Sequence, residues 1–164
     1  MQNIENDYNK LVLDLLLAPA KADRTGTGTK SLFGRTIRHD MSRGFPLLNG
    51  KRVYYSQAFH ELLWIAQGRT DLAYLHENGV KYWDADYKRS GRTDNTLGPV
   101  YGKQWRDFEG VDQLFNLVEE IKSNPTSRRL MVSAWAPQDM HDMALPPCHY
   151  AFQVYVNEGH LSLM

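Results

Sequence analysis

The sequence predicts an α+β fold, a mixed sheet packed by helices. Three segments repeat apolar residues at three-to-four spacing, several others have strand composition, and the two kinds do not alternate strictly as strand, helix, strand. A doubly wound parallel sheet requires that alternation, so helices set against one face of a sheet fit better.

The first helix is read from Ile4, Tyr8, Leu11, Val12, Leu15 and Leu16, and Pro19 closes it because the residue before a proline is pushed out of the helical region. The second begins with Ser56 as a cap, has an apolar face that includes Phe59, Leu62, Leu63 and Ala66, and has Gly68 just past its end. Glu61 rides on it. The third opens near Asp112, carries Val111, Leu114, Phe115, Val118 and Ile121, and stops before Asn124-Pro125. Strands are expected over 31–40, 51–55, 130–135 and 149–156, the last alternating Tyr150, Phe152, Val154 and Val156. Residues 159–164 read as a turn and the start of one more strand, and the polar run 89–95 reads as an exposed loop. No repeat or linker divides the chain, so 1–164 is expected to be a single domain.

Composition narrows the function classes. The 19 Lys and Arg offset the 19 Asp and Glu, which excludes a basic domain steered to nucleic acid. No apolar run approaches the ~20 residues of a membrane helix, and the start lacks the basic-then-apolar layout of a signal peptide, so a cytoplasmic protein with no membrane partner is expected. Cys148 is the only cysteine. A disulfide framework and a Cys-rich zinc site are thereby excluded, and the histidine spacing predicts no metal.

Cys148 is open to two readings, a small buried residue or a nucleophile. Pro146 and Pro147 fix the backbone before it, and a thiolate is favoured by neighbouring cations and partial exposure. His149 is not its obvious base, since adjacent strand residues point to opposite faces. The Gly/Thr segment 23–29 could surround a phosphate, with Arg24 as a forked cation, or could be a surface turn; no Gly-Lys-Ser/Thr follows it. Arg128 and Arg129, between a helix stop and a strand, suit planar capture of phosphate or are simply solvated. Glu61 stands amid Phe59, Leu62, Leu63 and Trp64, where burial would raise its proton affinity, unless it lies on the wet face. Trp83-Asp84 and the segment 97–106, with Tyr101, add aromatic surface fit for a flat heterocycle or for packing alone.

Taken in order, these stretches resemble the thymidylate synthase family: 23–29, Gly44-Phe45-Pro46-Leu47, Glu61-Leu62-Leu63-Trp64, Trp83-Asp84, Leu97 to Arg106, Asp112-Gln113-Leu114, Ser127-Arg128-Arg129, Ser133-Ala134-Trp135 and Met143 to His149. The resemblance runs through nearly the whole chain. It implies methylation of dUMP to dTMP with 5,10-methylenetetrahydrofolate as co-substrate, dihydrofolate as by-product, and no metal. It implies that Cys148 adds to C6 of the pyrimidine, that Glu61 manages protons through water, and that Tyr101 and His149 belong to the hydrogen-bond network around the base. Trp83 and Asp84 would line the folate side, with Lys51 reaching the folate tail. Arg24 would clasp the nucleotide phosphate, and Arg128 and Arg129 would reach it from the neighbouring subunit of a homodimer.

Two departures from the family pattern stand out. Ala136 replaces the usual asparagine after Trp135, and the family's later Gln-Arg-Ser, base-reading, ribose-binding and lid segments have no counterpart here. The resemblance therefore implies the N-terminal portion of such a domain, lacking the C-terminal part of the fold, and an isolated chain with little or no activity. The alternatives are a pyrimidine nucleotide hydroxymethylase, which quenches the same intermediate with water, and a non-catalytic fragment or assembly module.

Overall fold

The computed structural model describes residues 4–23 and 26–164. They fall into two compact units, Met1–Tyr54 and Tyr55–Met164.

In the first unit, α1 spans Ile4–Leu17, as the apolar spacing predicts, with Glu5 and Asp7 in the first turn where the helix dipole favours negative charge. The Glu5 carboxylate also accepts the Asn49 and Gly50 amides at 2.8 and 2.9 Å, folding residues 49–50 back onto the helix start. Strands β1 (Ala20–Lys21) and β2 (Thr29–Lys30) form a short antiparallel ladder. The expected strand over 31–40 is not formed, and neither is the one over 51–55, where the chain enters a helix at Tyr55. Strand composition is present in both, but a strand exists only where a second strand supplies its ladder. Gly34, at φ 70°, also breaks the run, and Phe33 is left fully exposed.

The second unit holds the site. Helix α2 (Tyr55–Ala66) buries Trp64 and Ile65, and Ser56 lies inside its first turn rather than capping it. Three short helices that sequence periodicity does not announce follow: α3 (Leu72–Glu77), α4 (Asp84–Ser90) and α5 (Tyr101–Arg106). The first is capped by Asp71, which accepts from the Tyr74 amide. Helix α4 takes in the beginning of the expected loop 89–95. Helix α6 (Gln113–Ser123) opens at Asp112, whose carboxylate accepts the Phe115 amide at 2.9 Å, and ends before Asn124 as expected.

Strands β3 (Met131–Ser133), β4 (Ala151–Asn157) and β5 (His160–Leu163) form a sheet in that order, and every pairing among the described residues is antiparallel. Helices α5 and α6 pack on β3, and α2 packs on α5. The core gathers Trp64, Leu75, Leu97, Leu130, Val132 and Val154, whose aliphatic members each contribute roughly 1.5–3 kcal/mol by burial. Where β3 meets the helices, Gln113 substitutes for a neighbouring strand. Its Nε2 donates to the Ser133 carbonyl at 2.7 Å and its Oε1 accepts the Ser133 amide at 3.0 Å.

Arg106 joins three helices, donating to Asp112 at 2.7–2.9 Å and to the Ala66 carbonyl at the end of α2 at 2.6 Å. The approach of α5 to the chain after α2 depends on Gly102, where a Cβ would stand 2.2 Å from the Arg69 carbonyl.

Candidate active site

Side chains from α5, from α2 and from the turn before α4 gather near the end of the 143–148 segment. Pro147 is buried and Cys148 is exposed, so the thiol is not core filler. Its backbone N–H donates to the phenol oxygen of Tyr101 at 2.7 Å. Tyr101 is the first residue of α5, and 4% of it is exposed. Its ring stacks on His149 with centroids 3.9 Å apart and planes 10° from parallel. One phenol thus orients both residues of the Cys148-His149 pair, which local strand geometry alone sends to opposite faces.

Trp105, one turn along α5, meets the His149 ring edge-on at 6.3 Å and Phe152 of β4 at 5.0 Å. His149 is exposed overall, but partial desolvation of its ring pulls its pKa below the usual histidine value, an effect that the negative charge of Glu61 opposes. At pH 7 His149 is therefore neutral, able to donate from one nitrogen and accept at the other. Burial pushes the Tyr101 phenol above its ordinary range, so it stays protonated.

Glu61 comes from α2, where it is half-buried, and its Oε1 accepts the indole N–H of Trp83 at 2.5 Å. Trp83 is buried between Trp64 and Tyr101, with ring centroids 6.3 Å from each. An aromatic wall therefore runs from α2 to Tyr101. Tyr82, which sequence reasoning missed, also lies against Glu61, and desolvation together with that carboxylate pushes its phenol above the ordinary tyrosine value. The available signal was its place beside Trp83.

The remaining candidates sit elsewhere. Asp84, at the start of α4, pairs with His76 at 2.7 Å. Arg128 and Arg129 are exposed just before β3, and neither forms an ion pair among the described residues. Continuing the β3–β4 register, in which Met131 faces Gln153 and Ser133 faces Ala151, puts Arg129 opposite Tyr155. The Val154 amide donating to Leu130 agrees with this. From Tyr150, whose carbonyl accepts the Ala134 amide, to Tyr155 the strand rises on the order of 15 Å, and Cys148 precedes it. The paired arginines therefore lie at the end of the β3–β4 pairing away from the residues that follow Cys148 into β4. Lys51, in the first unit, has its Nζ 3.2 Å from the Tyr8 hydroxyl and 5.0 Å from that ring's centre. Arg24 lies outside the described residues.

No group of three potential metal ligands occurs among the described residues, and no helix among them is long and apolar enough to cross a membrane. The residues around Cys148 suit instead an exposed sulfur nucleophile beside a neutral imidazole, a protonated phenol and a carboxylate on an aromatic wall. That set can form and break a bond to carbon while protons move nearby. A family model described as thymidylate synthase matches residues 6–164.

Proposed function

Because the chain belongs to the thymidylate synthase family, we propose that Cys148 is the nucleophile of a reductive methylation that converts dUMP to dTMP. The observation that carries this reading is the exposed thiol whose own amide is held by Tyr101, with Tyr101 stacked on His149 and walled by Trp83. The family match runs through both compact units, which are read as parts of one domain.

In this reaction the Cys148 sulfur bonds to C6 of the pyrimidine. The C5–C6 π pair moves onto C5 and toward the adjacent carbonyl, which makes C5 the nucleophile. Later loss of the C5 proton and departure of the sulfur restore the double bond and free the thiolate. Tyr101 stands at the cysteine with its proton retained, fit to hydrogen-bond the water or base that takes the C5 proton. Glu61, fixed by Trp83, holds charge and ordered water beside the base. Neutral His149 completes the network.

5,10-Methylenetetrahydrofolate supplies the one-carbon unit and the hydride and leaves as dihydrofolate. The wall of Trp83 and Tyr82 with the Glu61 carboxylate fits a flat heterocycle bearing N–H donors. Asp84 and Lys51 are the further candidates for that co-substrate.

Arg24 is proposed to bind the nucleotide phosphate, aided by Arg128 and Arg129 of a second copy in a cytoplasmic homodimer. The placement of the arginine pair at the end of the β3–β4 pairing away from the Cys148 segment supports the dimer reading. It equally supports slight or absent turnover by a lone chain.

Attack on C6 asks less of the protein than turnover does, so the trapped complex is the deciding test. Incubation with 5-fluoro-dUMP and methylenetetrahydrofolate, followed by intact-mass measurement, is expected to show an adduct at Cys148. A folded chain that forms none is an assembly module. Supplying dUMP or dCMP to the adduct-forming species and identifying a methyl or hydroxymethyl product separates the synthase from the hydroxymethylase.

A further inference from the structure

The chain from Arg92 to Tyr101 is tied to the segment that leads to the thiol at three places. Arg92 Nη1 donates to the Asp142 carbonyl at 2.8 Å and to its Oδ1 at 2.7 Å. The Ala144 amide donates to the Leu97 carbonyl at 2.9 Å. The Cys148 amide donates to the Tyr101 phenol at 2.7 Å. Together these ties make the segment that leads into α5 a template for the segment that leads to the sulfur. The backbones also touch at Gly98, the residue after Leu97. Gly98 has φ +77°, and a Cβ there would stand 2.1 Å from the Asp142 carbonyl.

We propose that Arg92 is a positioning residue for Cys148, clamping the start of the cysteine segment onto this template. Arg92 forms no contact with the thiol and acts through Asp142. The guanidinium suits the task because it bonds in two directions at once. Its Nε and Nη2 grip the Asp94 carboxylate at 3.3 and 2.6 Å while Nη1 reaches across to Asp142. The anchor is itself fixed, since Asp94 also accepts the Thr96 amide and hydroxyl at 3.1 and 2.9 Å.

Only 19% of the Arg92 side chain is exposed, while its partners Asp94 and Asp142 keep 49% and 58% of theirs in solvent. Beyond Asp142, buried Met143 and the two prolines leave the segment little freedom to absorb a displacement before it reaches Cys148. A lysine could bond Asp142 or Asp94 but not span both.

The clamp deepens the proposed reaction, and its test does not depend on that reaction. Amide hydrogen exchange of the full chain is compared for Arg92→Ala, Arg92→Lys and, as a control, Lys122→Ala, which removes an exposed pair with Glu119. Losing a charge-assisted bond is expected to speed exchange at the Ala144 and Cys148 amides by about tenfold or more, with Val132 and Val154 in the sheet unchanged. Arg92→Lys should restore part of the protection, and Lys122→Ala should match the parent.

Unchanged protection at Ala144 and Cys148 in Arg92→Ala would overturn the proposal. Should that variant lose the sheet's protection as well, Arg92→Lys decides by the same comparison of the two amides against the sheet. Adduct formation with 5-fluoro-dUMP is measured in parallel. A loosened segment in a chain whose parent forms no adduct refutes the reaction and leaves the clamp standing. Unchanged exchange in a chain that does form adduct refutes the clamp alone.

Discussion

The phenol oxygen of Tyr101 lies 2.7 Å from the amide nitrogen of Cys148, a residue 47 positions later, and the same ring is stacked on His149. The nucleophile's backbone is thus oriented by a side chain from another element. Tyr101→Phe keeps the stacking and removes the acceptor. It should cost about 1 kcal/mol of stability by urea unfolding, a single hydrogen bond's worth. Formation of the 5-fluoro-dUMP adduct should slow by about tenfold or more, because small misplacements of a nucleophile are costly. An unaltered adduct rate would remove Tyr101 from the site.

Glu61 and His149 are coupled through charge, the carboxylate raising the imidazole's proton affinity while burial lowers it. In Glu61→Gln the opposing influence disappears and the lowering is left alone. The His149 ring signals in an NMR titration should then move at lower pH than in the parent. A shift to higher pH would mean that the two groups do not interact as the structure indicates.

The lowered pKa of His149 also sets a pH dependence of stability. Its folded value lies below the unfolded one, near 6.5, so the unfolded chain binds the proton more tightly. The contribution is fully present above about pH 6.5 and is lost as pH falls from there through the depressed folded value. Chemical denaturation at pH 7.5 and pH 5 should show a decline that is smaller in His149→Gln. An equal decline in both proteins would assign it to other groups.

Gly102→Ala should destabilise by about 2 kcal/mol or more, since the new methyl would meet the Arg69 carbonyl at 2.2 Å and the backbone can yield only by moving α5. Because α5 begins with Tyr101, the same change should slow adduct formation. Thermal unfolding and the adduct rate would be read on one preparation.

If the arginine pair serves the partner's site, defects in different chains should complement. Cys148→Ser and Arg128→Ala chains, each deficient alone, should recover adduct formation when mixed and allowed to exchange subunits, because one site of the mixed dimer then has both groups intact. Failure to recover, with dimers verified by sedimentation, would place the arginines in their own chain's site or in none.

Much of this was legible in the residue order. Helices α1 and α6 carry the periodic apolar residues and, for α6, the Asp112 cap that predict them, and β4 alternates as a half-buried strand should. Helices α3, α4 and α5 were not legible. Each is six or seven residues long, too short for periodicity to register, and tertiary contacts hold it. Gln104 of α5 is 1% exposed and bonded to Asp139, a partner that no local pattern reveals. The strand expected over 31–40 shows the converse, suitable composition without a ladder to join.

The sequence by itself determined the chemical inventory: one thiol behind two prolines, a glutamate among apolar residues, paired arginines, and an ordered set of motifs shared with a family. Only the tertiary structure decided which of these meet. It brought Glu61 to Trp83 and Tyr101 to Cys148, sent Asp84 to His76, set Arg128 and Arg129 at the end of the β3–β4 pairing away from the Cys148 segment, and recruited Arg92 to that segment. The physical reason is range. Propensity and periodicity act over a few neighbouring residues, whereas these encounters join positions up to 50 residues apart and follow from how helices and sheet bury a common core.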